Sequence, residues 1–158
     1  MSKREPGELM VRVFAFLVLL VPAIVFGGEW PATPPRIGRL VMPQEYWIYT
    51  LGAARDYGVS PYLIQGVMAI ESRYDPCASS GKGRCQGLMQ LDREASRGIN
   101  PWDPRENIRR GAQILAKLIQ KYDDDLPRAV RAYNGTGNRA YEREVLRAIR
   151  QAEKGICQ

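Results

Sequence analysis

The sequence predicts an all-α fold. Apolar residues recur at helical spacing in several segments, and those segments are punctuated by Pro, Gly and Asp at the positions where helices start and stop. No segment alternates apolar and polar residues with the period of two that a strand requires, and no internal repeat is present. At 158 residues the chain has room for one domain plus a leader.

The elements follow in order. Residues 1–28 resemble a secretory signal: Lys3, Arg4 and Arg12 give a positive start, and Val13 to Phe26 is an uninterrupted apolar run. That run is shorter than the ~20 residues of a membrane span and contains Pro22. Gly27 or Gly28 can precede a cleavage site. Val25 or Phe26 at the −3 position is bulky for one, which leaves an uncleaved anchor as the alternative. Either form puts the remainder outside the cytoplasm, in the periplasm or cell envelope. Residues 29–43 contain four prolines and read as an extended linker, so the folded domain is expected over 44–158.

Gln44 to Tyr57 reads as a helix ended by Gly58. Ser60 as N-cap and Pro61 as first residue open a second, running to Tyr74 with Leu63, Val67, Ile70 and Tyr74 as its buried stripe, and Asp75-Pro76 stops it. Cys77 to Gln86 is a Ser/Gly-rich loop, and Asp92 to Arg97 reads as a short helix. Asp103-Pro104 opens the longest helix, with Ile108, Ala112, Leu115, Leu118, Ile119 and Tyr122 inward and Asp123-Asp124-Asp125 at its end. Pro127 to Tyr133 is a short helix before the turn Asn134 to Gly137. Arg139 to Glu153 closes the chain as a helix with Val145, Leu146 and Ile149 inward.

Composition narrows the chemistry. The chain has no histidine, which excludes His-based nucleophile activation and His-based zinc sites, and it carries no Gly-rich phosphate loop or dinucleotide fingerprint. No cofactor or metal is expected. The net charge is +6, and +5 without residues 1–28, which suits anionic partners such as peptidoglycan stem carboxylates, cell-wall polymers or membrane surfaces. Nucleic acid is not expected, because no recognition motif accompanies the charge and the leader implies export. Membrane contact is expected only through an uncleaved leader.

Glu71 is the residue that matters most. It lies on or beside the apolar stripe, four residues after Val67 and three after Met68, so its carboxyl is partly desolvated and its pKa raised, as a general acid working near neutrality needs. The alternative is a glutamate at the stripe's edge paired with Arg73, Arg84 or Arg93. Glycosidases usually flank the scissile bond with two carboxylates, and here the second candidates, Asp75 and Asp92, are poor by position.

Glu71-Ser72, then Gly87-Leu88-Met89-Gln90, then Ala132-Tyr133-Asn134 together resemble the catalytic domain of the soluble SLT-type lytic transglycosylases, relatives of goose-type lysozyme. The resemblance covers roughly Gln44 to Ile149 and implies a compact lysozyme-like helical domain acting on peptidoglycan. It implies cleavage of the β-1,4 bond between N-acetylmuramic acid and N-acetylglucosamine, with the substrate's N-acetyl group assisting and a 1,6-anhydromuramoyl product. Glu71 would be acid first and base second. The resemblance also implies that Ser72 orients Glu71 and that Ser80, with Ser79 competing, faces an acetamido group. Met89 and Gln90 would line the cleft, Tyr133 would hydrogen-bond the carboxylate, Asn134 would contact the glycan, and Tyr141 matches a tyrosine of the last helix. Two departures stand out: a short stretch after Asn134, and no proline after Gln90.

Cys77 and Cys85 bracket the loop beside Glu71, so a disulfide between them is expected, with Cys157 left over. The competing functions are a lysozyme-type hydrolase and a non-catalytic exported glycan-binding or scaffold protein of the same fold. By analogy, the enzyme would open the wall locally for a secretion, conjugation, pilus or phage apparatus spanning the envelope.

Overall fold

The computed structural model describes residues 30–80, 83–135 and 137–155; the leader and Cys157 lie outside them. From Pro31 onward the chain forms one folded unit of five α-helices and one small sheet among the described residues. The helices are α1 (Gln44–Tyr57), α2 (Pro61–Glu71), α3 (Pro104–Lys121), α4 (Leu126–Tyr133) and α5 (Arg139–Lys154). No helix among the described residues is long and apolar enough to cross a membrane.

Local chemistry sets the helix ends. Gly58 takes the left-handed conformation that closes α1 (φ 65°). Asp103 accepts the Glu106 N–H at 2.8 Å and Asp125 accepts the Arg128 N–H at 3.0 Å, capping α3 and α4 ahead of prolines in their first turns. Asn138 caps α5 through the N–H groups of Ala140 and Tyr141. Ser60 occupies the cap position of α2, but its hydroxyl makes no capping bond.

The central helix is α2, not the longer α3. Pro61 and every residue from Leu63 to Ala69 are buried, so the sequence stripe understates a helix surrounded on nearly all sides. It packs chiefly against α5, where Gly66 lets the two approach: a Cβ there would lie 3.2 Å from Ile149 Cγ1. On the other flank α1 packs on α3, reinforced by the Arg109–Asp56 ion pair and by the Arg109 guanidinium stacked over Tyr57.

Three features differ from the sequence expectation. Two-residue strands β1 (Ser79–Ser80), β2 (Cys85–Gln86) and β3 (Leu91–Asp92) form an antiparallel sheet, with Ser80 opposite Cys85 and Cys85 opposite Asp92. Residues 93–97 form turns in place of a short helix. Residues 31–43 are extended but fastened down. Trp47 Nε1 donates to the Pro31 carbonyl (2.8 Å), Gln44 Nε2 to that of Ala32 (2.7 Å) and Gln65 Nε2 to that of Pro35 (2.6 Å), while Ile37 and Met42 enter the core. Helix side chains thus satisfy carbonyls that the prolines leave without a local partner.

Candidate active site

Glu71 is the last residue of α2. The helix stops there because Arg73 and Tyr74 take left-handed backbone conformations (φ 54° and 68°) ahead of Asp75-Pro76, a strained arrangement held by burial of the Tyr74 ring. The Glu71 carboxyl leaves the helix end partly buried, and desolvation pushes its pKa up. Tyr141, in the first turn of α5, donates its hydroxyl to Glu71 Oε1 at 2.6 Å, which opposes that rise by favouring the charged form. Burial first, then the negative charge of Glu71, keeps the Tyr141 hydroxyl protonated, so it serves as a donor. Burial and Tyr141 therefore set the state of Glu71, in place of the arginine pairing the sequence left open.

Glu71 opens into a cleft of about 460 Å³. One wall comes from the small sheet and the turn after it, through Ser80, Cys85, Gln90, Leu91, Asp92 and Ala95; Ile114 of α3 and the segment Tyr133–Gly135 complete the enclosure. The Gln90 backbone is left-handed (φ 48°), and its amide nitrogen donates to the carbonyls of Ala78 and Gly87, both at 2.9 Å, fixing the side chain at the rim. No group of His, Cys, Asp and Glu among the described residues is arranged to hold a metal ion. A single partly desolvated acid with a hydroxyl donor, set in a cleft, can protonate a leaving oxygen.

Sequence comparison decides the family. Residues 48–154 match the family described as the transglycosylase SLT domain. The chain belongs to that family. Its relatives include a transglycosylase of Enterobacteria phage PRD1, 38% identical over 98 residues that make up 60% of this chain and 36% of that protein. Lysozyme G of Dromaius novaehollandiae is 31% identical over 99 residues, 54% of this chain and 48% of the relative. Membrane-bound lytic murein transglycosylase F of Pectobacterium atrosepticum is 35% identical over 68 residues, 41% of this chain and 14% of the relative. The chain thus spans half or less of the length of these curated relatives. An inactive mutant of lytic transglycosylase Slt from Pseudomonas aeruginosa shares the fold, with a TM-score of 0.54, 24% identity, and coverage of 72% of this chain and 22% of that one.

Within this SLT domain the expected site residues do not all gather at the cleft. Glu71, Ser80, Gln90, Tyr133 and Asn134 line it, and Tyr141 reaches it through its bond to Glu71. Of the two competing serines it is Ser80, not Ser79, that lines the cleft. Ser72 is buried and returns its hydroxyl to the Met68 carbonyl at 3.2 Å, a helix back-bond away from the cleft lining. Met89 is a core residue: its side chain is fully buried and lies where a Cβ on Gly111 of α3 would sit, 2.2 Å from Sδ. The expected partner of Glu71 is also corrected. Tyr133 spends its one hydroxyl proton on the Met89 carbonyl at 2.9 Å, and Tyr141 is the tyrosine that donates to the acid.

The disulfide is corrected too: Cys77 and Cys85 are unpaired. The sheet register explains this. Cys85 stands opposite Ser80, while Cys77 lies beyond the start of β1, its N–H held at 2.9 Å by Asp75 Oδ1. Bridging them would require the two strands to slip past one another.

Asp92, which the sequence reading weighed as a second carboxylate and set aside as poor by position, does line the cleft. One residue escaped the sequence reading. Asn107 is fully buried in α3 and holds that turn from below; an asparagine at a core position of a helix was the only hint.

Proposed function

We propose that this domain is a peptidoglycan lytic transglycosylase with Glu71 as its acid and base. The observation that carries the reading is a single partly buried carboxyl, held by a tyrosine hydroxyl at 2.6 Å and lining the cleft of an SLT domain. Glu71 in its protonated form gives its proton to the glycosidic oxygen between N-acetylmuramic acid and N-acetylglucosamine. The acetamido oxygen of the muramoyl residue supports the electron-poor anomeric carbon as the bond breaks. Glu71, now a carboxylate, takes the proton of the C6 hydroxyl as that oxygen closes on the anomeric carbon. The proton returns to its origin, no water is consumed, and a 1,6-anhydro ring is left. Ser80, Gln90 and Asn134 bind the sugars along the cleft. Mass spectrometry of products from purified peptidoglycan should find 1,6-anhydromuramoyl ends and no new reducing ends.

Asp92 supports a second reading, hydrolysis. A carboxylate in the same cleft could direct water to the anomeric carbon. Its Oδ1 accepts the Ala95 N–H at 2.7 Å, which keeps it at the wall. Reducing ends as the main product, lost in Asp92→Asn, would establish lysozyme activity instead. The location proposed is the cell envelope, reached through the 1–28 leader. Service to an envelope-spanning secretion, conjugation, pilus or phage assembly belongs to the same proposal, and the likeness to a phage transglycosylase supports its phage form.

Tyr141 gives a test by pH. Its hydroxyl favours the ionised carboxyl, so Tyr141→Phe should raise the Glu71 pKa above its already elevated value. The general acid then keeps its proton to higher pH, and the alkaline limb of kcat/KM should move up by about one unit, since a hydrogen bond to a charged group is worth ~1.5–3 kcal/mol. An unmoved limb would mean that Tyr141 only packs.

A further inference from the structure

Helix α5 has two opposite faces. Tyr141, Val145, Ala148, Ile149 and Ala152 are buried on the side that packs toward α2. On the other side Arg139, Arg143, Arg147, Arg150 and Lys154 are all exposed. At about 100° per residue these five fall within an arc of about 80° and form one row about 22 Å long. Glu144 and Glu153 lie outside that arc, one on each side, and Glu142 is held by Arg131 of α4 at 3.1 Å. Among the described residues none of the five cations forms an ion pair. The row continues past the helix. A Cβ on Gly38 would lie 3.8 Å from Gln151 Oε1, and one on Gly155 would lie 3.4 Å from Pro35 Cβ, so the segment 35–38 rests against the end of α5. The exposed Arg36 and Arg39 therefore stand beside the C-terminal end of the row. No cation of this face lines the cleft. The arrangement costs α5 stability, because like charges four apart repel and the pairs 139/143, 143/147 and 150/154 are all of that kind. A face that served solubility alone would gain from alternating signs, which this one forgoes.

We propose that this basic face docks the folded domain on a membrane surface rich in anionic phospholipid. Clusters of four to eight Lys and Arg on a helix face or close to a membrane-bound segment are the chemistry that holds a protein to such a surface. The shape favours a bilayer over a free polyanion. The row is the outward ridge of a helix, which a planar layer of headgroups touches along its whole length. A single polymer chain gains most from a groove that encloses it, and a ridge offers it one side only. Arg36 and Arg39 also follow the 1–28 leader closely in sequence, near the point where export leaves the chain at the membrane. The domain thus has its own route to the membrane besides the leader, and the route stands whether or not Glu71 cleaves glycan. The contacts are charge to headgroup, so attachment is reversible and screened by salt.

The test is co-sedimentation with vesicles of pure phosphatidylcholine and with vesicles that are about one-third phosphatidylglycerol. It is run on the full chain and on the chain from Glu29 onward, which holds the whole folded unit and lacks the leader. The shorter chain should bind the anionic vesicles at least a hundredfold more tightly than the neutral ones, and the binding should fade as salt approaches about 1 M. The full chain should show the same preference for anionic lipid on top of whatever its leader contributes. Each basic residue near such a surface is worth roughly fivefold, so Arg143→Gln/Arg147→Gln/Arg150→Gln should weaken binding by about a hundredfold. Its Tm should stay level or rise, since repulsion within α5 is relieved. Arg143→Lys/Arg147→Lys/Arg150→Lys should bind as the wild type does, because the headgroups read charge. Arg105→Gln/Lys117→Gln/Lys121→Gln removes the same charge from exposed positions of α3 and should retain most of the binding. Equal loss in the two glutamine variants would reduce the effect to net charge and overturn the proposal. So would equal binding to neutral vesicles, loss of binding in the lysine variant, or tighter binding to a soluble glycerol-phosphate polymer than to vesicles at matched phosphate.

Discussion

Glu71→Gln is expected to abolish glycan cleavage while leaving the fold and glycan binding intact. The amide fills the same volume and can still accept the Tyr141 hydroxyl at the Oε1 position, so the cleft keeps its shape. What it lacks is a transferable proton. General acid–base catalysis is typically worth ~10²–10⁴-fold, and here the same side chain would act twice, so the loss should reach or exceed the top of that range. The variant also has a stability signature. Burial raises the pKa of Glu71 in the folded state, so the native protein holds this proton more tightly than the unfolded chain does. By linkage, the wild type loses stability as pH rises from the unfolded value through the raised folded value, and none of that loss occurs below it. Glutamine cannot ionise, so the variant should melt above the wild type at pH 8, and the gap should close near pH 4. Turnover on purified peptidoglycan, with melting curves at the two pH values, checks both halves. Equal cleavage by the Gln variant would mean that the acid is another residue, with Asp92 the first candidate.

The helical architecture was legible because periodicity and end chemistry agree. Asp103-Pro104 announces α3 and Pro127 announces α4, whose cap, Asp125, the sequence had assigned to the end of the preceding helix, and the spacing of Ile108, Ala112 and Leu115 marks a face that is buried in the structure. Glu71 could be singled out by its place on an apolar helix, and its partial burial follows from the same placement. The sheet was not legible, since strands of two residues are shorter than any alternation can reveal. The segment 31–43 was read from its prolines alone, whereas its anchors are side chains of Gln44, Trp47 and Gln65 whose reach across up to 30 positions exists only once α1 and α2 have packed. The two tyrosines show the same limit at the site. Tyr133 and Tyr141 both stand beside the cleft, and sequence cannot decide which hydroxyl turns to Glu71 and which to the Met89 carbonyl. A hydroxyl proton goes to the nearest strong acceptor, and that is a matter of ångströms set by how α4 and α5 dock.

Asn107→Ala is expected to be the most destabilising polar substitution in the domain. The Asn107 side chain is fully buried and does three things at once. Its Oδ1 accepts the Met89 N–H at 2.8 Å, and its Nδ2 donates to the carbonyls of Pro101 (2.8 Å) and Gln86 (3.1 Å). These bonds pin the Gly87–Gln90 turn onto α3. Close approach demands glycine at 87: its φ is 76°, and a Cβ there would sit 2.4 Å from Asn107 Nδ2 and 2.2 Å from the Pro101 carbonyl. Alanine at 107 removes all three bonds and orphans one buried N–H and two partly buried carbonyls. At ~1–3 kcal/mol for each unsatisfied group, partly relieved by water entering the vacated space, the loss should be about 3–5 kcal/mol. That is a large share of the ~5–15 kcal/mol that holds a domain of this size together, and it corresponds to a fall in Tm of roughly 10–20 °C. Asn107→Asp should not rescue it, because a carboxylate keeps the acceptor for Met89 but has no donor for the two carbonyls and adds a buried charge. Cleavage should decline well below the new Tm, since the Met89 carbonyl that receives the Tyr133 hydroxyl and the Gln90 rim both belong to the released turn. Calorimetry of the two variants against wild type decides the point. A fall of less than about 3 °C in Asn107→Ala would show that the turn is held by its own packing and that the three bonds contribute little.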